Sequence, residues 1–322
     1  MVFAKPWVRL LSEKLRLGTL GVFQFGNADL ALWRGEGNGF PVAARDRART
    51  LADLALLQRH LHRAVNRRHA GDVIAAMVAL LALCGFIIGG EAGARCALTG
   101  GTPPPDPPVL SPAAMGRLGA RLLQLDEMPA LFALLRDICR RAGLTRLPDL
   151  YVLAAPESMN AYALGSADHG AIVLTDGLLR RMTWGEIGGI LAHEVAHIRN
   201  NDAWTMTWAR AFNRAIALSS LIALASLNKR AIAGRPLAAL LGAAPAIGQL
   251  LCLALSRIRE TDADATALEL SDDPHALVAA LHKLEDYHAG SRLPAPAGPE
   301  HLPALCSHPA TWERVGLLMQ LA

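Results

Sequence analysis

Charged residues are scarce in this chain, and apolar residues are abundant. Asp, Glu, Lys and Arg make up 19% of the 322 residues, where roughly 25% is usual in soluble domains. Hydrophobic residues reach 52%, and the mean hydropathy is +0.27. This combination indicates association with a membrane. The net charge of +4 and the pI near 9.0 make no strong case for nucleic acid, and we expect no such partner.

Cysteine is also used sparingly. The five cysteines are widely spaced, and no two of them form a Cys-x-x-Cys pair. The pattern therefore predicts no disulfide framework and fits a reducing compartment, although free thiols occur on either side of a membrane. The N-terminus, MVFAKPWVRLLSEKLRL, has neither an uninterrupted apolar core nor an obvious cleavage site, so we predict no secretory signal.

The most apolar run of the chain follows a basic segment. Residues 1–70 form a region of unknown role that ends in an amphipathic, strongly basic helix. The next run, VIAAMVALLALCGFIIGG, covers residues 73–90 without a charge. As a helix it would reach roughly 27 Å, enough for a bilayer core, so we predict a transmembrane helix. A buried core helix is the alternative.

A proline-rich linker, residues 99–112, is the clearest domain boundary. Residues 113–322 then have a globular pattern, with a predicted helix over Met128–Ala142 and the strand-like runs DLYVLAA, NAYALG and AIVLT. Within this domain, residues 215–255 predict a hydrophobic helical hairpin. Its second half can span a bilayer, whereas its shorter first half could be re-entrant or buried in protein.

The stretch GGILAHEVAHIRNND inserts polar residues into an apolar helix, which Thr183 and Glu186 would start with a capping box. His193 and His197 are four residues apart, so they share one helix face and can bind one metal ion. Glu194 can take a proton from a water molecule on that metal. This is the His-Glu-x-x-His pattern of zinc peptidases. Two core histidines with satisfied hydrogen bonds are the alternative.

Two histidines do not complete a zinc site, so the pattern predicts a third ligand. Glu260 lies directly after the apolar hairpin, in SRIRETDADATALEL, and Asp264 follows one turn along the same face. Glu260 would complete a His2Glu site with the fourth position left for water. Asp264 would accept a hydrogen bond from a ligand imidazole. The alternative is a solvated helix in which Arg257 and Arg259 pair with the acids.

Several blocks in this order resemble the HtpX-type membrane zinc endopeptidases, whose eukaryotic relatives are the CaaX prenyl proteases. The blocks are NAYALGSADHGAIVLTDGLL, HEVAHIRNND, SRIRETDAD, DDPHALVAALHKLE and SHPATWER. The resemblance extends from about Leu144 to the C-terminus. It implies one Zn²⁺ per chain, bound by His193, His197 and Glu260. It also implies that Glu194 is the general base that later protonates the leaving amine.

The resemblance implies three more roles in the site. Asn160 would lie beside the substrate backbone, and His308 and Arg314 would support the oxyanion of the transition state. For His308, a turn histidine before Pro309 is the alternative. The sequence departs from the family in having Thr261 where an aromatic residue is usual, and in having one predicted span before the catalytic domain where two are usual.

The strand AIVLT lies just before the zinc helix. We predict that it forms an open sheet edge, where Ala171, Ile172 and Val173 bind an extended substrate as an additional strand. Backbone pairing of this kind would explain broad sequence tolerance.

Two arguments about the membrane side conflict. Four arginines precede the apolar run and only Arg95 follows it closely, which predicts a cytoplasmic N-terminus and a catalytic domain on the far side. The resemblance instead implies a cytoplasmic active site. We therefore predict the inner (cytoplasmic) membrane of a bacterium as the location and leave the side of the active site open.

Together these observations predict an α+β, mostly helical protein with a zincin-like (gluzincin) catalytic domain and hydrophobic membrane-associated helices. The predicted function is a membrane-bound endopeptidase that hydrolyses peptide bonds with zinc-activated water, in membrane-protein quality control. Its partners would be unfolded or membrane polypeptides and the lipid bilayer. The alternatives are a narrow processing protease and a non-catalytic zinc-stabilised scaffold or chaperone. Glu194 argues against a scaffold, because a structural site needs no general base.

Overall fold

The computed structural model describes residues 44–99, 112–227, 235–271, 273–290 and 310–322. Residues 1–43, most of the proline-rich linker and His308 lie outside these ranges. Residues 1–51 form a unit of their own, of which the described part is helical, and residues 52–322 form one compact unit.

The described ranges contain nine helices and four strands. In chain order they are α1 (Ala44–Thr99), α2 (Pro112–Arg117), β1 (Ala120–Leu122), α3 (Pro129–Ala142), β2 (Asp149–Leu153), β3 (Ala161–Gly165), β4 (Gly170–Thr175), α4 (Asp176–Arg181), α5 (Trp184–Arg199), α6 (Asp202–Leu227), α7 (Arg235–Leu270), α8 (Pro274–Gly290) and α9 (Thr311–Leu321).

The four strands form one mixed sheet in the order β1-β2-β4-β3. β2 and β4 are parallel, whereas β1 pairs with β2, and β3 with β4, in antiparallel fashion. β4 is therefore a central strand, in which Ile172 pairs with Leu150 on one side and with Ala163 on the other. The prediction that residues 171–173 form an open edge is wrong, because both sides of β4 carry a partner strand. The open edges belong to β1 and β3.

The apolar composition of β4 follows from its central position. Successive strand residues point to opposite faces of a sheet. Ile172 and Leu174 are buried in the main core, while Val173 is buried on the other face against Met115 and Tyr151. A strand covered on both faces needs apolar residues at every position. The main core lies between the sheet and helices α3, α5, α7, α8 and α9, and its fully buried members include Leu131, Leu135, Leu150, Leu191, Val195, Ala263, Ala280 and Leu318.

Helix α5 begins with the predicted capping box. The Thr183 hydroxyl accepts a hydrogen bond from the Glu186 backbone N–H (3.3 Å), and the Glu186 carboxylate accepts one from the Thr183 N–H (2.7 Å). Lys283 of α8 donates to the same carboxylate at 2.8 Å. Gly189 permits this close packing, since a Cβ atom there would lie 2.6 Å from the backbone nitrogen of Leu277. The start of α5 is thus held by its own cap and by α8.

Helices α1, α6 and α7 form a second apolar cluster. Residues of all three helices meet in it, including Met77, Leu81, Ile216, Ala223, Leu241 and Leu255. α6 and α7 run antiparallel, because Ala209 contacts Cys252 (the thiol donates to the carbonyl at 3.5 Å) while Asn213 donates to Gln249 at 3.1 Å. The stretch predicted as a hydrophobic hairpin thus lies, over its described residues, in two antiparallel helices.

The outer faces of these helices are apolar and exposed. In the part of the chain that the structure describes, two helices are long and apolar enough to cross a membrane, Asp53–Thr99 and Pro236–Leu270. Their most apolar windows have mean hydropathies of 2.6 and 1.9, and only 22% of each window is buried. The core helix of a soluble protein would be mostly buried. On α6 and α7, Leu218, Leu221 and Leu250 are each more than 60% exposed, at 64%, 62% and 64%. Such a surface fits contact with lipid.

Helix α1 reverses its direction near its end. Gly89 and Gly90 have non-helical backbone angles, and Gly90 has a φ of 61°, which favours glycine. In a straight helix Gly85 and Ala97 would be about 18 Å apart. A Cβ on Gly85 would instead lie 2.7 Å from the Cβ of Ala97 and 2.6 Å from the carbonyl oxygen of Gly93. The segment after Gly90 therefore folds back along the apolar run. Gly85 and Gly93 lie where the two segments cross.

The basic part of α1 lies beside the C-terminal part of α7. Arg63 Nη1 is 3.2 Å from Glu269 Oε2, and Asn66 donates a hydrogen bond to Thr261 at 3.3 Å. Residues that precede the apolar run thus lie at the same end of the apolar helices as the residues that follow the hairpin. The charge-based expectation placed them on opposite sides of a membrane and assumed that the chain continues outward after Gly90, whereas the structure brings them into contact.

Candidate metal centre

Helices α5 and α7 bring three predicted metal ligands together. The Nε2 atoms of His193 and His197 are 3.0 Å apart, and the Glu260 carboxylate lies 3.4 Å from the first and 3.5 Å from the second. Three atoms at corners of a tetrahedron around zinc, with bonds of about 2.1 Å, would be roughly 3.4 Å apart. The three side chains are buried or half-buried. Their donor types and spacing fit one zinc ion.

The outer nitrogen of each histidine contacts a carboxylate. His193 Nδ1 is 2.9 Å from Asp264 Oδ1, and His197 Nδ1 is 2.7 Å from Asp202 Oδ2. A carboxylate accepts a hydrogen bond, so each Nδ1 carries the proton and each Nε2 presents its lone pair to the shared point. The tautomers that metal binding needs are thus set by acids on α6 and α7.

The acids also change the proton affinity of the histidines. Burial lowers the pKa of His193, but its hydrogen bonds to Asp264 and Glu260 outweigh that effect and raise the pKa to about 10. Burial likewise lowers the pKa of His197, and the charge of Glu260 with the hydrogen bond to Asp202 raises it above the ordinary value. The centre therefore favours positive charge, as expected of a site that holds a cation.

Arg314 of α9 supports the centre from the other side. Its Nε and Nη2 donate to the two oxygens of Asp264 at 2.8 and 2.7 Å, and its Nη1 lies 3.9 Å from Glu260. Arg314 as a whole is only 7% exposed. A two-pronged pair of this kind holds both partners in one orientation. Since Asp264 contacts His193, Arg314 is linked to the first metal ligand through a single carboxylate.

A cleft of about 360 Å³ opens in front of the metal ligands. Its polar wall contains His193, Glu194 and Arg314, and Asn160 and Ala161 lie where β3 begins. The remaining wall is mostly apolar and is formed by Met159, Leu178, Ile190, Leu277, Leu281 and Leu284, with Glu285 and Thr311 beside them. The catalytic glutamate predicted from the sequence therefore faces a cavity large enough for part of a peptide.

The structure places the predicted site residues in three groups. Asn160, Glu194 and Arg314 line the cleft, and Asp264 lies behind His193. Ala171, Ile172 and Val173 do not line it, because they belong to the central strand. His308 lies outside the described residues.

Two residues at the centre were not predicted. Asp202 contacts His197 and lies within the HEVAHIRNND block, so its position five residues after a ligand was the available signal. Arg259 contacts Asp202 (Nε to Oδ1, 2.6 Å) and was considered only as a solvated partner of nearby acids. Thr261, where the family usually has an aromatic residue, accepts the hydrogen bond from Asn66 of α1.

The two-histidine helix, the carboxylate from a second helix and the adjoining cleft are the features of a metallopeptidase. Comparison with known proteins agrees. Residues 127–322 match the model of Peptidase family M48, and the chain belongs to this family.

The curated relatives extend the match beyond that domain. A protein named Protease HtpX homolog from Acaryochloris marina is 34% identical over 232 residues, which cover 65% of this chain and 77% of the relative. Proteins of the same name from Paraburkholderia phytofirmans and Pelotomaculum thermopropionicum are 30% and 33% identical, over 78% and 76% of this chain and 95% and 90% of theirs. The resemblance to HtpX-type proteases is confirmed, and with it the assignment as a membrane metalloprotease.

Proposed function

We propose that the protein is a zinc endopeptidase of zincin-like (gluzincin) type, with one zinc ion held by His193, His197 and Glu260. The observation that carries this proposal is the convergence of these three ligand atoms beside Glu194 at the wall of a cleft. When bound, zinc would supply Lewis acidity that polarises the substrate carbonyl and makes water a stronger acid.

Glu194 is the proton carrier of the proposed reaction. It is buried at the cleft wall next to the ligand His193, so its carboxylate can accept a proton from the attacking water. It would then return that proton to the nitrogen of the leaving amine, which leaves the carboxylate ready for another cycle.

Arg314 and His308 are the proposed stabilisers of the oxyanion. Arg314 has two donor nitrogens on Asp264, so its contribution is a fixed positive charge at the cleft and not a freely moving donor. A fixed charge favours the transition state, in which the carbonyl oxygen becomes negative. The role of His308 as a second donor comes from the family resemblance.

The open edge next to the cleft is β3, and we propose that substrate pairs with this strand. Asn160 accepts a hydrogen bond from the Thr175 N–H, and Ser166 and His169 exchange hydrogen bonds at the other end of the hairpin. Because antiparallel pairs alternate, the N–H and C=O groups of Ala161 and Ala163 point away from β4. The Asn160 side chain accepts from the Ala161 N–H at 2.9 Å, which places its amide at the start of this edge.

The apolar wall of the cleft indicates the side chains that the enzyme accepts. Leu277, Leu281 and Leu284 come from successive turns of α8 and face the cavity with Ile190 of α5. A hydrophobic side chain next to the cleaved bond would bury its surface there. Unfolded and membrane proteins expose such side chains, and we therefore propose a role in membrane-protein quality control.

The catalytic centre faces the cytoplasm of a bacterial inner membrane in this proposal. Arg63 lies at the catalytic end of the apolar helices, and the same basic segment of α1 contains Arg59, Arg67 and Arg68. The positive-inside rule places such a segment in the cytoplasm. The charge of this segment and the family resemblance then agree on the cytoplasmic side, whereas Lys229 and Arg230, between α6 and α7 in the sequence, favour the opposite orientation by the same rule.

The proposed function is tested by cleavage of casein with the detergent-purified, zinc-loaded protein beside Glu194→Gln. We expect the wild type to cleave and the variant to retain zinc without cleaving, since the amide cannot take a proton. Cleavage by both proteins at equal rates would refute the mechanism. Stoichiometric zinc without cleavage by either protein would refute the broad specificity and favour a narrow processing protease or a scaffold.

A further inference from the structure

Six ionisable side chains connect helix α1 to the metal ligand His197. Three are arginines and three are carboxylates. They come from α1, from the end of α5, from the start of α6 and from α7, and they are Arg63, Arg199, Asp202, Arg259, Asp262 and Glu269.

The contacts form a continuous chain of alternating charge. Starting at the metal centre, Asp202 uses Oδ2 for His197 (2.7 Å) and Oδ1 for Arg259 Nε (2.6 Å). Arg259 Nη2 in turn lies 2.8 Å from Asp262 Oδ2. The other oxygen of Asp262 is 3.7 Å from Arg63 Nε. Asp202 therefore bridges His197 and Arg259, and Asp262 bridges Arg259 and Arg63, with one carboxylate oxygen for each partner.

This chain is shielded from solvent. The side chains of Asp202 and Asp262 are 6% and 4% exposed, and those of Arg259 and Arg63 are 12% and 13% exposed. A buried charge that loses its partner keeps the cost of its lost hydration. Removing one member therefore forces its neighbours to move or to admit water. Arg63 also contacts Glu269, whose Oε2 lies 3.2 Å from Arg63 Nη1. The same Glu269 oxygen lies 3.6 Å from Arg199 Nη1.

We propose that Asp202, Arg259 and Arg63 are positioning residues that orient His197 for metal binding. In this arrangement α1 supplies Arg63, the member of the chain of contacts farthest from the metal centre. The packing of α1 against α7 therefore completes the support of the metal centre. The proposal rests on the proposed zinc site, because His197 is oriented toward that metal. A purely structural set of ion pairs would change the stability of the fold but leave the geometry at His197 as it is.

The test uses the full-length protein in detergent and measures metal binding without relying on cleavage. Zn²⁺ affinity is measured by competition with a chromophoric chelator, and the coordination geometry is followed by the absorption bands of bound Co²⁺. The unfolding temperature of the metal-free protein reports structural damage separately. The variants are Asp202→Asn, Arg63→Gln and their combination. Arg68→Gln is the control, since Arg68 is an exposed arginine five residues further along the same helix.

We expect Asp202→Asn to weaken zinc binding by about tenfold or more, in the range seen when partners of metal-binding histidines are removed. Arg63→Gln should weaken it by about threefold and shift the Co²⁺ bands, while Arg68→Gln does neither. The double variant should bind zinc no more weakly than Asp202→Asn alone, because Arg63 acts through Asp202.

The proposal is overturned if Arg63→Gln matches Arg68→Gln in zinc affinity and Co²⁺ spectrum, even where its unfolding temperature falls. Unchanged affinity in Asp202→Asn would overturn it at the step nearest the metal. Failure of the proposed function would look different. The wild type would then bind no zinc, or His193→Ala would bind it as tightly as the wild type.

Discussion

At the scale of single residues, the metal centre contains more carboxylates than histidines. Asp264, Glu260 and Asp202 contact the imidazoles, and Arg314 is the cation that contacts Asp264 from behind. Asp264 and Asp202 each contact the Nδ1 atom of one imidazole, while Glu260 lies near both Nε2 atoms. The arrangement keeps both Nε2 atoms directed at one point before any metal arrives, which reduces the reorganisation that binding requires.

The raised pKa of His193 predicts a pH dependence of metal binding. In the metal-free protein this pKa is about 10, above the ordinary 6.5, so the imidazole holds an extra proton at neutral pH. Zinc must displace that proton, and its affinity should therefore rise about tenfold per pH unit for each proton released. Calorimetric titrations between about pH 6 and pH 9, in buffers of different ionisation enthalpy, measure both quantities.

The same shift affects the stability of the metal-free protein. A histidine whose pKa is higher in the folded state stabilises the fold fully below pH 6.5, and this contribution is lost as the pH rises toward 10. Zinc affinity that is independent of pH, with no proton released, would contradict the assigned hydrogen bonds.

At the scale of elements, the proposed substrate edge follows from the position of β3. It is the edge strand nearest the cleft, and its residues alternate between pairing with β4 and facing outward. Helix α5 lies along the same side of the sheet and carries Glu194. An extended peptide on β3 would thus pass the proton carrier with its backbone in register with the sheet.

Substitution by proline tests the β3 edge. Ala163→Pro removes an outward N–H that makes no bond to β4, so the fold and zinc affinity should be retained. Loss of one backbone hydrogen bond to substrate should raise KM for peptides by about tenfold.

The matched control is Tyr162→Pro, which removes an inward N–H and should lower the unfolding temperature. Both variants are measured by steady-state kinetics and thermal unfolding. An unchanged KM in a folded, zinc-loaded Ala163→Pro variant would exclude strand pairing at this edge.

At the scale of the whole molecule, helix α7 joins the apolar bundle to the catalytic centre. It is 36 residues long, and its first part packs against α1 and α6 through Leu241, Ala244 and Leu255. Its last part carries Glu260 and Asp264 into the main core region. One continuous helix therefore holds the candidate metal ligand at a defined distance from the exposed apolar surface.

The reversal of α1 predicts which positions share a side of the membrane. Single cysteines at His60, Glu91 and Asp286, each in a cysteine-free background, are labelled with an impermeant maleimide in spheroplasts and inverted vesicles. All three positions are exposed. His60 and Asp286 should react from the cytoplasmic side and Glu91 from the opposite side, because Gly89 and Gly90 lie at the far end of the apolar run.

If the cysteines at positions 91 and 286 react from one side and the cysteine at position 60 from the other, the reversal is contradicted. The chain would then cross the membrane once between the basic part of α1 and the catalytic domain. Variants with a wild-type unfolding temperature are the ones to compare, so that altered labelling reports topology and not misfolding.

Features that depend on neighbours in the chain could be predicted from the sequence. The four-residue spacing of His193 and His197 places both on one helix face wherever that helix lies, and the Thr183 cap needs only residues within one turn. The apolar runs predicted the hairpin for the same reason. Glu260 was found because two histidines leave a zinc site incomplete and an acid follows the next apolar segment.

Other features depended on contacts between distant segments. Strand order places β3 outside β4, although both have similar apolar patterns, because pairing is chosen by the whole sheet and not by a strand's own residues. The partners Arg63 and Asp262 are distant in the chain and meet only after α1 docks on α7. Gly89 and Gly90 end the apolar run in the sequence as well, but only their backbone angles and the close approach of Gly85 and Ala97 show that the chain reverses there. The sequence by itself thus determined the three candidate ligands and the chemistry expected of them, while the tertiary structure decided the strand order, the contacts behind His197 and the reversal of α1, since each of these is set by long-range packing.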